Sequence, residues 1–294
     1  MTDRYFALFT PANKDDSPLS LKFRQITNHG IEYYHPTLTN KHQNIVSIIS
    51  DESEFKDHIC VSHILLWYLP IDELMAYEKR LEKLVADYGI SSIHFSDLFG
   101  RKQLLEPMRR KQFLVDYAKI VSEIPLFCTS FSTPRRKVLS KVGDIFQSLD
   151  DLYTTLRWSN LERIVPILRP YSVIHVFTEQ ENNFTNAYGD RLILRLHQWV
   201  QGSEALKRSG HSVCINPFVF TKEALLYSSL ADLVAYVSNK VQSKIDHGVP
   251  EKKIMSQYQD MLSLIKAVFR GYNNLSSQKL VDLIDRSSLL FEPD

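Results

Sequence analysis

Three acidic residues set in apolar surroundings mark where this chain could do chemistry. Asp51 follows the run Ile45-Val46-Ser47-Ile48-Ile49-Ser50 and leads into Glu52-Ser53, Glu179 ends Val173-Ile174-His175-Val176-Phe177-Thr178, and Asp232 lies within Ser228-Ser229-Leu230-Ala231-Asp232-Leu233-Val234-Ala235-Tyr236. A carboxylate next to a packed apolar run is costly unless it binds something. Three such groups, delivered from distant parts of the chain, are what a hard divalent cation takes: Mg2+ or Mn2+, with carboxylate oxygens, waters and substrate phosphate oxygens as ligands. Two ions about 3.5–4 Å apart would clamp the attacking and leaving oxygens of a phosphodiester, so the carboxyl groups of Asp51, Glu179 and Asp232 are expected to converge on that scale. The competing reading makes Asp51 and Glu52 polar residues that close a strand, and Asp232 an acid that is either on the polar side of its helix or buried and paired inside the protein.

Around this trio stand secondary residues. Glu52 neighbours Asp51, and Glu181 shares a strand face with Glu179 by the two-residue period, which makes it the rival for that role. In Ser92-Ile93-His94-Phe95-Ser96-Asp97-Leu98, His94 is placed to act as a general acid or a positioning donor at the scissile phosphate. Asp97 is either a fourth acid or a turn and N-cap residue. Two basic clusters, Arg109-Arg110-Lys111 and Arg135-Arg136-Lys137, and the pair Arg191 and Arg195, could meet phosphates. Each can equally be a solvated helix face.

These residues need elements to hold them. Residues 45–50 read as a first strand ending at Asp51, and 58–68 as a second, antiparallel across a short connection. Residues 71–88 have helical spacing, with Leu74, Tyr77, Leu81, Leu84 and Val85 on one face and Gly89 as the C-terminal stop. A basic helix over 106–124, a strand over 126–132, helices over 136–148 and 150–165 and a strand over 171–178 follow. A helix over 190–200, a strand over 212–220 and a helix within 222–244 complete the core. Ser228 or Ser229 could cap the last of these. Helices over 254–269 and 277–284 close the chain. The order predicts an α/β layered domain with a mixed sheet over 44–248, an N-terminal extension over 1–43 with a strand or two, and a C-terminal helical segment over 249–294.

Composition narrows the partners. With 294 residues, 44% hydrophobic, 23% charged and a net charge of +1, the chain has the profile of a globular protein without a global field, so any attraction to nucleic acid must come from local patches. Cys60, Cys128 and Cys214 are isolated in apolar stretches, which points to buried thiols rather than a zinc or disulfide framework. With no signal-peptide pattern or membrane-length segment, a cytoplasmic protein with no membrane partner is expected. There is no Gly-rich phosphate loop, His-Glu-x-x-His, Gly-x-Ser-x-Gly or Rossmann glycine fingerprint, so nucleotide-driven and serine-hydrolase chemistry rank low.

Asp51-Glu52-Ser53 after the first strand, His94-Phe95-Ser96-Asp97-Leu98 after the first helix, and Ser228-Ser229-Leu230-Ala231-Asp232-Leu233-Val234-Ala235-Tyr236 together resemble the bacterial family called domain of unknown function 3800, grouped with the ribonuclease H-like folds. The resemblance spans about residues 45–245, and here Glu54 stands where the family's first motif continues with glycine. It implies a ribonuclease H-like mixed sheet flanked by helices, with metal-ligand roles for Asp51, Glu179 and Asp232. It further implies a Mg2+- or Mn2+-dependent nuclease, a hydrolase, with settings in phage defence or mobile elements. A catalytically inactive binding or assembly module, with a protein partner or a second copy of the chain, is the other expectation.

Overall fold

The structure is a computed structural model, and it describes residues 6–7, 23–27, 30–34, 44–67, 71–100, 104–124, 126–136, 156–157, 161–162, 165, 168, 172–179, 198–213, 218–220, 225–268 and 272–274. The chain groups into two compact units, residues 1–48 with 148–219, and residues 49–147 with 220–294. Each contains strands and helices, so the class is α/β with a mixed sheet.

In the first unit the region expected to carry a strand or two forms a three-stranded antiparallel sheet of β1 (Phe6–Ala7), β2 (Phe23–Thr27) and β3 (Gly30–Tyr34). Tight pairing of Thr27 with Gly30 closes the β2–β3 hairpin. The same unit holds β7 (Ser172–Glu179), in parallel with a short β8 (Ser212–Val213) through Val173 and Ile174, and β9 (Phe218–Phe220) also pairs with β7. Helix α4 (Glu204–Ser209) leads into β8 and is capped by Ser203, whose hydroxyl accepts the Leu206 N–H at 3.0 Å.

The second unit is built on β4 (Asn44–Phe55), β5 (His58–Trp67), β6 (Leu126–Pro134) and β10 (Tyr272–Asn274), in the order β10-β6-β5-β4. Strand β4 begins in the first unit and runs on into the second. Strands β5 and β6 are antiparallel from His58 opposite Pro134 to Leu66 opposite Leu126, and β10 joins β6 in parallel. Strand β5 is buried without a break from His58 to Leu66 because both of its faces are covered, and Cys60 of β5 and Cys128 of β6 are buried thiols. Cys214 lies outside the described residues, as do all but the first residue of the helix expected over 136–148 and the whole of that expected over 277–284.

One expectation about the first strand needs correcting. Asp51 does not end it: β4 continues through Phe55 before a two-residue turn at Lys56 and Asp57. Strand β4 is hydrogen-bonded to β5 across that turn, and this backbone bonding overrides the polar character of Asp-Glu-Ser-Glu.

Among the described residues three helices precede β6. Helix α1 (Ile71–Tyr88) ends as read, with Gly89 at φ 69° and the Ile90 N–H returning to the Val85 carbonyl at 3.0 Å. Next come α2 (Phe95–Phe99) and α3 (Pro107–Val121), the latter with proline in its first turn. A 3-10 turn (Leu226–Ser228) opens α5 (Ser229–Asp246), and α6 (Glu251–Val268) follows. Helix α5 packs across β5 and β6, α6 against α5 and α3, and α1 against α3. Among the described residues no helix is long and apolar enough to cross a membrane.

An acid sits on the buried side of α1 where the periodicity leads one to expect only apolar groups. Glu78, 8% exposed, accepts the backbone N–H groups of Leu226 and of Tyr227, the latter at 3.2 Å. Burial raises its carboxyl above the ordinary range against the pull of those two donors. Glu78→Ala leaves two buried N–H groups without their acceptor, so it should cost about 2–4 kcal/mol in chemical denaturation.

In the first unit, His175 on β7 is 8% exposed, and burial lowers its pKa from 6.5 to about 4. Between those values the unfolded chain binds the proton and the folded one does not, so stability falls as pH falls from 6.5 toward 4, by up to about 3 kcal/mol through this group. His175→Leu should flatten the stability–pH curve across that window.

Candidate functional site

Successive side chains on a strand point to opposite faces, and this fixes where Asp51 looks. Ser50 Oγ meets His63 Nδ1 at 2.8 Å on one face of the β4–β5 pair. Ser62, next to His63, points the other way and donates to the Ala231 carbonyl of α5 at 2.7 Å, with the Asp51 carbonyl 3.4 Å from the same hydroxyl. Asp51 therefore faces the side that α5 covers, and Glu52 the side of Ser50 and His63. The Asp51 side chain is 7% exposed, and its Oδ1 accepts the Glu52 N–H at 2.8 Å.

Asp232 approaches from the helix. Helix α5 is buried almost all round over its first three turns, with Leu230, Ala231, Leu233 and Val234 at 1% exposure or less, which leaves no polar side to which an acid could turn. At 7% exposure Asp232 Oδ2 accepts the Phe95 N–H at 2.7 Å and so holds the first turn of α2. Its charge helps push the phenols of Tyr117 and Tyr236 up, after burial, which is the larger cause; Tyr236 reaches about 12. Tyr117 also hydrogen-bonds Ser229 across 2.8 Å. Of the two serines expected to cap α5, Ser228 takes the N-cap position without a side-chain cap bond and Ser229 is spent on Tyr117.

Asp51 and Asp232 thus lie on facing elements of one unit. His94 occupies the N-cap position of α2 and Asp97 its first turn, where the Asp97 N–H returns to the His94 carbonyl at 3.1 Å. Glu179 closes β7 in the other unit. Its side chain, and the whole of Glu181, Lys137, Arg191 and Arg195, lie outside the described residues.

The basic clusters are largely occupied by the protein's own groups. Arg109 donates to the Asp87 carbonyl at 3.2 Å over the Tyr88 ring, and Arg110 to the Leu98 carbonyl at 3.1 Å over the Phe99 ring. These contacts brace α3 against α1 and α2, and Lys111 is exposed beside them. Arg135 pairs with Glu54 at 3.0 Å, while Arg136 is exposed.

A second constellation escaped the sequence reading. At the β4–β5 turn, buried His58 (1% exposed) holds Asp57 Oδ1 through Nδ1 at 3.0 Å and Asp246 Oδ2 through Nε2 at 2.8 Å. His247, just past the end of α5, places Nε2 3.9 Å from the same Asp57 oxygen. The hydrogen bond from His58 and the nearby imidazoles hold the Asp57 carboxyl below its ordinary range. Adjacent Asp-His pairs at a turn and at a helix end were the available signal. Nothing local to either pair says that they meet.

No family model matches the chain, and no curated protein matches its sequence.

The Asp232–Phe95 bond separates size from charge at this position. Asp232→Ala should destabilise the protein by about 1–3 kcal/mol in urea unfolding, because the buried Phe95 N–H loses its acceptor. Asp232→Asn keeps an acceptor oxygen and should cost distinctly less.

Proposed function

We propose that this chain is a divalent-metal-dependent phosphodiester-cleaving enzyme with a ribonuclease H-like core, of the kind carried by the family it resembles. Nucleic acid is its substrate, and Asp51 and Asp232 hold the metal. The observation that carries this reading is the placement of two carboxylates, each nine-tenths buried, on a strand and on the helix that covers that strand's face. Burying two like charges on facing elements is costly, and a cation offsets that cost. The donors are hard oxygens, which suit Mg2+ or Mn2+. When bound, such an ion lowers the pKa of its water and neutralises charge developing on a phosphodiester.

What the chain itself contributes is orientation. The Glu52 N–H fixes one oxygen of Asp51, the Phe95 N–H fixes one of Asp232, and Ser62 ties the two backbones together. The bond to Phe95 also favours the competing reading, in which Asp232 only braces α2 and the protein is an inactive binding or assembly module.

Cleavage of a panel of single- and double-stranded DNA and RNA in Mg2+ and Mn2+ decides between them. In an enzyme, Asp51→Asn and Asp232→Asn should each reduce metal-dependent cleavage at least 100-fold while melting cooperatively and keeping most of the affinity for nucleic acid, which rests on phosphate contacts. Wild-type protein without metal-dependent cleavage, or cleavage that survives Asp51→Asn, would assign the fold to the module.

A further inference from the structure

We infer that Asp57, His58 and His247 form a second metal site, one for Zn2+ rather than Mg2+, at the point where the β4–β5 turn meets the end of α5. The three side chains each bring a ligand atom to within 4.8 Å of the others. Asp57 Oδ1 is 3.0 Å from His58 Nδ1 and 3.9 Å from His247 Nε2. Ligands bound tetrahedrally to zinc at about 2.0–2.2 Å stand roughly 3.3–3.6 Å from one another, so the observed spacing brackets what one ion needs.

Orientation of the rings is the stronger argument. A metal-bound imidazole characteristically donates its other ring N–H to a carboxylate or a backbone carbonyl. Both histidines have that arrangement here. His58 turns Nε2 to Asp246 Oδ2 at 2.8 Å, and Asp246 is itself held by Gln242 Nε2 at 2.7 Å. His247 turns Nδ1 to the Ser243 carbonyl at 2.5 Å. The nitrogens that remain, Nδ1 of His58 and Nε2 of His247, converge on the same oxygen of Asp57.

Charge and exposure agree with this. The two carboxylates that face His58, those of Asp57 and Asp246, balance the two charges of the ion. Imidazole donors select zinc over magnesium, which separates this site from the all-carboxylate one. Asp57 and His247 are 36% and 48% exposed, so a water or a substrate group has room for the fourth position, as in zinc sites that act on ligands rather than only brace a fold.

The test uses the full chain, stripped with chelator and titrated with Zn2+ by calorimetry in millimolar Mg2+, without nucleic acid. This keeps it independent of the cleavage assays. The expected result is one equivalent of Zn2+ bound and a raised melting temperature. His247→Ala, at a half-exposed position that leaves the buried His58 intact, should weaken binding at least tenfold. Asp246→Asn, a positioning change, should weaken it 10–100-fold. Absence of stoichiometric Zn2+ binding in the wild type, or binding unchanged in His247→Ala, would overturn the proposal and leave His58 as a hydrogen-bonded strut between two aspartates.

Discussion

Helix α5 lies on the sheet through hydrogen bonds as well as apolar contact, and the second unit is organised around that attachment. Along one side of the helix the Ala231 carbonyl takes the Ser62 hydroxyl, Ser238 donates to Ser130 at 3.1 Å, and Asn239 spans the carbonyls of Ser53 and His58 at 2.7 and 3.3 Å. Around these contacts Leu230, Leu233, Val234, Val237 and Val241 are buried. Dispersion and the hydrophobic effect hold a helix on a sheet but leave it free to slide or rotate by part of a turn. Directional bonds to three different strands remove that freedom. Both candidate sites inherit their precision from this seam. Asp232 lies in the first turn of α5 and Asp246 is its last residue, so at 1.5 Å per residue the two sites are roughly 21 Å apart along one rigid axis.

The unit also uses buried acids in a consistent way. Glu78 takes the N–H groups that open the 3-10 turn before α5, Asp232 takes the one that opens α2, and Asp51 takes that of its neighbour Glu52. A carboxylate accepting backbone N–H groups is a charge-assisted and economical way to finish a helix start inside a protein. Burial of an acid is therefore not by itself a mark of function here. Glu78, whose carboxyl burial raises above the ordinary range, serves structure. What sets Asp51 and Asp232 apart is that one lies on a strand and the other on the helix packed over that strand's face. What sets the Asp57, His58 and His247 group apart is that each imidazole has its outer nitrogen committed and its inner one turned toward a shared oxygen.

Local patterning carried a long way toward this fold. The 3.6-residue period and Gly89 set α1 at its observed ends, apolar runs with β-branched residues placed β5, β6 and β7, and the stripe of Leu230, Leu233, Val234 and Val237 placed α5. These elements could be read because their stability is decided by side chains a few residues apart. Asp51 was recognised as chemically unusual for the same reason, although β4 carries it inside the strand rather than at its end.

Tertiary structure alone decided the partners. Phe95 and Asp232 are 137 residues apart in sequence, His58 and Asp246 are 188 apart, and Glu78 and Leu226 are 148 apart. No periodicity or motif encodes such pairs, because a hydrogen bond depends on a distance of about 3 Å and an angle, and those are set only when α5 settles on the sheet. The sequence by itself determined which residues prefer helix or strand and which acids are out of place in apolar company. Whether each of those acids meets a backbone N–H, an imidazole or another acid was left to packing, since the side chain's nearest neighbours in space are drawn from parts of the chain whose order along it carries no information about their final separation.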